Sequence, residues 1–436
     1  MKHNQRTTPS DILLALISTV KLHGGILSSL QTRLLSALLF LWLAIPGRLN
    51  FTNLARYGER TERSYRNWFA QTIPWLDLNA ALVLRLQKQD DIGAFGILAT
   101  DAVFIRKAGN KTPGVAKFWS GCLSKAESGL EGSCVTWVDV STRQPIPLRI
   151  QQTPAVSEEG TTRVHFYANQ IVEILKALPE TLNRKIKAVV GDAYYAKKVF
   201  LDIVTSQGGK HVVSKLRSDA NLRYLYHGKR TGKRGRPQQF DGKVDLKNLD
   251  FSRWEQIPWA DECRVYTLVV NAVQFERSIR VVALVWPSKK GFHLELLFST
   301  DTEMEAGMVV QLYRTRFPME YPFRDAKQFA GLTHCQSRQP LAIDFHWNMS
   351  MLTVSLARAA QLENLRAAQE HQFLEGEGKG ELEGRGGMVF SMEDEKRRAY
   401  NGFFAQRIIS MLPVNLSWEK CRSSLEKLLS LGVKAA

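Results

Sequence analysis

Two apolar runs in this chain each carry a lone acid. AFGILATDAVFI (94–105) holds Asp101, and IKAVVGDAYYA (186–196) reaches Asp192 just after AVVG. Short apolar runs bounded by turn residues read as buried strands. A carboxylate in such a strand is costly unless it is paired, hydrogen-bonded or bound to a metal. Either acid alone could simply cap the turn that follows its strand. Two on one sheet call for a chemical reason.

The surrounding pattern supplies that sheet. SCVTWVDVST (133–142) and QPIPLRIQQT (144–153) read as strands joined by a tight turn at Arg143, with a Gly- and Lys-containing loop (108–131) before them. Thr161 to Leu178 is an amphipathic helix, KKVFLDIVTSQGG another, and HVVSKLR (211–217) a further strand. Strands resume in CRVYTLVVNAV, RSIRVVALVW and FHLELLFST (263–300). The predicted class is therefore α/β, a mixed sheet flanked by helices. Residues 11–45 read as packed helices, Asp301 to Gly331 as a helical region and 341–367 as a long helix. A linker (375–387) and two short helices (390–436) follow. The expected organisation is a helical domain (1–92), a core in two parts (93–215 and 301–368) and a strand-rich basic insertion with late core strands (216–300). Residues 369–436 form a linker and a helical tail. We find no internal repeat.

Lys plus Arg number 59 against 42 Asp plus Glu, a formal charge of +17. That surplus points to a polyanionic partner. The five cysteines (Cys122, Cys134, Cys263, Cys335, Cys421) are never in CxxC spacing and read as reduced thiols of a cytoplasmic protein. MKHNQRTTPS does not begin a signal peptide. The most apolar run, Leu35 to Pro46, is short of the ~20 residues a membrane span needs and reads as a buried helix.

Residues 50–71 outline a helix-turn-helix. Phe51, Leu54 and Tyr57 share one short helix, Gly58 makes a turn, and Thr61 caps a second helix. There Arg60, Arg63 and Arg66 project outward while Tyr65, Trp68 and Phe69 pack inward, an arrangement suited to DNA contact as well as to an ordinary helical hairpin. Lys229, Arg230, Lys233, Arg234 and Arg236 crowd one Gly-rich stretch, either a solvated loop or an arm for a nucleic-acid backbone.

A third acid lies in LYRTRFPMEYPFRDAKQFAGL (312–332). At 100° per residue, Tyr313, Arg316, Glu320 and Lys327 fall within roughly 60° of one another on a helix. Asp325 lies about 140° from Glu320 and reads as a surface acid. Such a face offers a carboxylate for a metal and two cations for phosphate oxygens. Pro318 and Pro322 interrupt it, so the helix should kink or restart near Pro318. Asp101, Asp192 and Glu320 are hard oxygen donors suited to Mg²⁺ or Mn²⁺. A pair of such ions would clamp an in-line phosphoryl displacement.

Tyr313, Arg316, Glu320 and Lys327 reproduce the Tyr-x2-Arg-x3-Glu-x6-Lys signature, and the chain resembles the bacterial insertion-sequence transposases with a DDE active site. FRDAKQFAGLTHCQSR (323–338) and the helix with His346 extend the likeness. The resemblance implies an RNase H-like core with Asp101 on the first strand, Asp192 after the fourth and Glu320 on a late helix. It implies a strand-rich insertion between Asp192 and Glu320. It further implies metal-dependent cleavage at element ends with two ions, then attack of the freed 3′-hydroxyl on target DNA. Tyr313, Arg316 and Lys327 would contact phosphates, and the chain would act as a homodimer on paired ends, in the cytoplasm at the nucleoid. Relatives stack a flipped base on a Trp; Trp119, Trp254 and Trp286 are the candidates here. The two prolines and the segment DAYYAK, which lacks a glycine often found there, depart from the family pattern. A derived DNA-binding protein that does not cut, and a two-metal nuclease that does not join, are the alternatives.

Overall fold

The structure is a computed structural model that describes residues 6–22, 27–87, 95–109, 111–120, 124–155, 160–228, 237–259, 262–288, 291–374 and 390–411. The chain forms two compact units. Unit 1 takes Met1–Gln89, Ile105–Gly129 and Glu320–Ala436; unit 2 takes Asp90–Phe104 and Leu130–Met319.

Unit 1 opens with α1 (Pro9–Leu22) and α2 (Ser29–Ala44). Ser28 and Gln31 form a capping box that fixes the start of α2, and its leucines and Trp42 are buried. The Leu35–Pro46 run is thus largely the buried helix its composition indicates. Next come α3 (Phe51–Tyr57), α4 (Glu62–Trp68) and α5 (Trp75–Gln87). Asn50 and Thr61 cap α3 and α4 through their side chains. Gly58 sits between them because a Cβ there would stand 2.1 Å from the Tyr65 hydroxyl and 2.8 Å from the Leu54 carbonyl.

The twelve strands among the described residues are β1 (Gly96–Arg106), β2 (Ala116–Ser120), β3 (Lys125–Asp139), β4 (Pro145–Gln152), β5 (Ile186–Val190), β6 (Val212–Lys215), β7 (Leu222–Leu225), β8 (Phe240–Lys243), β9 (Glu255–Ile257), β10 (Arg264–Ala272), β11 (Arg277–Ser288) and β12 (Gly291–Ser299). In unit 2 the sheet order is β3-β1-β5-β6-β12-β11-β10-β7-β8, with β4 on β3 and β9 on β10. The order β4-β3-β1-β5-β6 is that of an RNase H-like core. β1, β5 and β6 are parallel, whereas the later strands are antiparallel. The strand-rich stretch after Asp192 does not form a separate sheet: β12 pairs with β6 and carries the same sheet onward. Parallel neighbours require crossovers, supplied by α6 (Arg163–Ala177) with the short α7 (Glu180–Asn183), and by α8 (Lys198–Gly208). α6 packs on α8. Arg143 has φ +56° at the β3–β4 turn, as the sequence suggests.

One expectation fails. Much of the 108–131 stretch is not loop. β2 pairs antiparallel with Lys125–Gly129 of β3, Phe118 opposite Glu127 and Trp119 opposite Ala126. Alternation explains it: Phe118 is buried, whereas Lys117 and Trp119 face solvent. Five residues are too few for that period to stand out beside glycines and lysines.

In unit 2, α9 (Ala306–Thr315) is followed by one 3-10 turn, Phe317–Met319. In unit 1, α10 (Glu320–Gln328), α11 (Pro340–Leu374) and α12 (Met392–Met411) follow. Pro318 ends the regular helix because it has no N–H to donate. Pro322 lies in the first turn of α10, where no intrahelical partner is lost.

Candidate active site

β1 and β5 run parallel with Ala99 opposite Val190. Asp101 and Asp192 each stand two residues past that pair, so both acids lie toward the same end of two neighbouring strands, which are spaced about 5 Å apart. Burial along β1 is complete from Gly96 to Thr100 and relaxes at Asp101. The strand therefore delivers the acid to the edge of the core. Asp101 accepts the Ala102 N–H at 2.8 Å, and Asp192 accepts the Tyr194 N–H at 2.8 Å. The Ser214 hydroxyl holds the Asp192 carbonyl at 2.8 Å. Gly191 lets the chain turn: a Cβ there would lie 2.9 Å from that of Tyr195. Tyr195 is buried beneath the pair. Burial pushes its phenol well above its ordinary pKa, and the Asp101 charge and, less strongly, that of Asp192 add to the shift.

Arg316 and Tyr313 belong to the same unit. The Arg316 guanidinium comes within 3.8 Å of Asp101 and lies 5.8 Å from the centre of the Tyr313 ring. Burial raises the Tyr313 pKa, opposed by Arg316 and then by Lys215. Lys215, at the end of β6, also pairs with Glu295 at 2.9 Å. It was not singled out from the sequence, because a lone Lys ending a strand carries no local signal.

Glu320 and Lys327 lie on α10 in unit 1, past the break at Pro318. Glu320 is exposed and Lys327 half-buried. Asp325 overturns its reading as a surface acid. Its side chain is only 4% exposed and accepts from Arg324 at 3.1 Å and from buried Arg358 at 3.5 Å. The angle of about 140° was sound, but the face opposite Glu320 is the one packed on α11. The segment after α10 is gripped through its carbonyls. Lys396 donates to Phe329 at 2.8 Å, Trp42 to Ala330 at 3.0 Å, and His346 contacts Gly331 at 2.7 Å. Lys107 donates to Cys335 and Ser337.

Arg60, Arg63 and Arg66 are exposed, while Tyr65, Trp68 and Phe69 are buried. Arg60 stacks over Trp68 and Arg66 over Phe51. Lys229, Arg230, Lys233, Arg234 and Arg236 lie outside the described residues. The three tryptophans differ: Trp119 is 65% exposed, Trp286 half-buried near Arg314, and Trp254 buried at 6%. Trp254 therefore has no open ring face to offer a base. Cys134, Cys263 and Cys335 are free thiols, and Cys122 and Cys421 lie outside the described residues. No described helix is long and apolar enough to cross a membrane.

Among the described residues, no three His, Cys, Asp or Glu side chains stand together as a ready-made metal cage. Asp101 and Asp192 nevertheless suit Mg²⁺, which usually keeps its waters and takes one or two carboxylates together with substrate phosphates. No curated protein matches the chain. A family of nucleic-acid-cleaving enzymes, described as DDE superfamily endonuclease, does match it over residues 22–265. That stretch is more than half the chain; it includes Asp101 and Asp192 with the strands that align them and stops short of Glu320. The chain belongs to the DDE superfamily endonuclease family.

Proposed function

We propose that this endonuclease is a transposase that cuts DNA at the ends of a mobile element and joins the freed ends to target DNA. The observation that carries the reading is the placement of Asp101 and Asp192, each two residues past the paired Ala99 and Val190 of parallel β1 and β5. The Tyr313-Arg316-Glu320-Lys327 spacing supports it from the sequence. In this reading Asp101, Asp192 and Glu320 hold two Mg²⁺ or Mn²⁺ ions, which when bound would supply charge stabilisation to a phosphoryl displacement. Arg316, Tyr313 and Lys327 bind phosphates near the cut. Arg60, Arg63 and Arg66 hold the element end, as do Lys229, Arg230, Lys233, Arg234 and Arg236. Trp119 is the open aromatic ring of the three stacking candidates, and two copies of the chain hold two ends.

The test is cleavage and joining of duplexes carrying the sequences that flank this gene, with Mg²⁺ or with EDTA. Wild type should cut and join only with metal. Asp101→Asn, Asp192→Asn and Glu320→Gln should each cut roughly a hundredfold or more slower, since even residues behind metal ligands cost 10–100-fold. DNA binding should survive. Cutting without joining would make the chain a nuclease. Binding by wild type with no cutting in Mg²⁺ or Mn²⁺ would make it a DNA-binding protein of transposase descent.

A further inference from the structure

The chain turns at Asp192 into Ala193-Tyr194-Tyr195-Ala196-Lys197, and its two adjacent tyrosines have opposite fates. Tyr195 is 2% exposed and belongs to the core, whereas Tyr194 keeps 47% of its surface in water. Tyr194 is nevertheless held firmly. Its ring meets the Tyr195 ring edge-on at 5.6 Å and the Tyr167 ring at 6.2 Å. Tyr167 is itself anchored by donating its hydroxyl to Glu131 at 2.5 Å. The Tyr194 N–H orients Asp192. The Lys197 ammonium lies 4.2 Å from the centre of the Tyr194 ring.

We propose that Tyr194 and Lys197 form a contact surface for the DNA strand beside the Asp192 end of the sheet. Lys197 takes a phosphate, and the Tyr194 ring packs on a neighbouring nucleoside. This deepens the reading of Asp192 as part of a DNA-cutting centre and rests on it. The electrostatics favour such a surface. A phosphodiester approaching Asp101, Asp192 and Glu131 meets like charge, and nearby cations offset that repulsion. An exposed ring held by packing stacks a base with little entropy left to lose, which is how aromatic platforms bind unpaired strands. Tyr194 closes no core, so truncating it leaves the fold intact.

The experiment uses the full chain and a labelled duplex carrying the sequences that flank this gene. Cleavage kinetics are measured in Mg²⁺, and binding is measured in the Glu320→Gln background, where the DNA stays whole. Tyr194→Ala should raise KM and the dissociation constant about tenfold, with kcat changed much less; Tyr194→Phe should recover most of that loss. Lys197→Ala should reduce the slope of log affinity against log salt by roughly one, as loss of a phosphate contact does. A loss of folded protein would lower amplitude without changing the salt slope. Wild-type KM, affinity and slope in Tyr194→Ala and Lys197→Ala would overturn the proposal, as would a Tyr194→Phe no better than alanine. If wild type never cuts but these variants still lose affinity and slope, the surface stands and the cutting reading falls. If wild type cuts, Glu320→Gln does not and the surface variants behave as wild type, the cutting reading stands and the surface falls.

Discussion

His346 is buried on α11 with its Nε2 2.7 Å from the Gly331 carbonyl, which can only accept, so the neutral ring donates from that nitrogen. The Trp42 ring meets it edge-on at 5.2 Å. Burial lowers its pKa to about 4 against an ordinary 6.5, and the hydrogen bond to Gly331 only partly opposes that. Between those two values the unfolded chain binds a proton that the folded chain refuses. His346 thus favours folding fully above pH 6.5, and that contribution is lost as pH falls toward 4. It is on the order of 3 kcal/mol. His346→Gln, which retains a donor, should flatten the fall in thermal midpoint between pH 6.5 and 4; an unchanged slope would place the acid sensitivity elsewhere. At this scale sequence is a partial guide. Asp101 and Asp192 announce themselves because an acid in an apolar run is costly. Asp325 was misread because helical geometry relates two faces but does not say which one is covered. Tyr194 gave no signal, since only packing separates it from Tyr195.

The short helices before and after Gly58 are the element on which DNA-end recognition depends in the proposed function. Their caps, their turn and their inward aromatics all follow from local residue types, and so they were legible. Gly58→Ala would set a Cβ 2.1 Å from the Tyr65 hydroxyl. It should cost about 1–3 kcal/mol, the usual penalty for overpacking, and shift α3 against α4. Both the urea midpoint and the affinity for element ends should fall. A lower midpoint with wild-type affinity would remove this element from DNA recognition. The break before α10 was legible for the same local reason: proline lacks a donor wherever it stands. The β2–β3 pairing was not, because its register depends on residues that alternate over only five positions.

For the whole molecule the surplus of +17 has a measurable consequence. If the exposed cations meet six or more phosphates, affinity should drop about a thousandfold or more between 50 and 200 mM salt. Fluorescence anisotropy with a labelled duplex measures this directly. A nearly flat dependence would mean that the charge serves solubility and not DNA. Most strand positions were recoverable from runs of apolar residues and turn signals, since each strand is written locally, whereas their order in the sheet was not, because pairing is long-range. The make-up of the units was not. Nothing in residues 105–129 marks them as belonging with the helices at the two ends of the chain, because that membership is decided only by long-range packing.

That interleaving bears on synthesis. Unit 1 draws on Met1–Gln89 and Ile105–Gly129 but also on Glu320–Ala436. Its first helices leave the ribosome well before their partners exist. At about 5–20 residues per second, roughly 10–40 s separate Gly129 from Glu320. During that interval the nascent chain presents basic helices while α10, which bears Glu320, has yet to be made. In the proposed reading an unfinished copy therefore holds DNA without the means to cut it, and the capacity to damage a genome is among the last things translation completes.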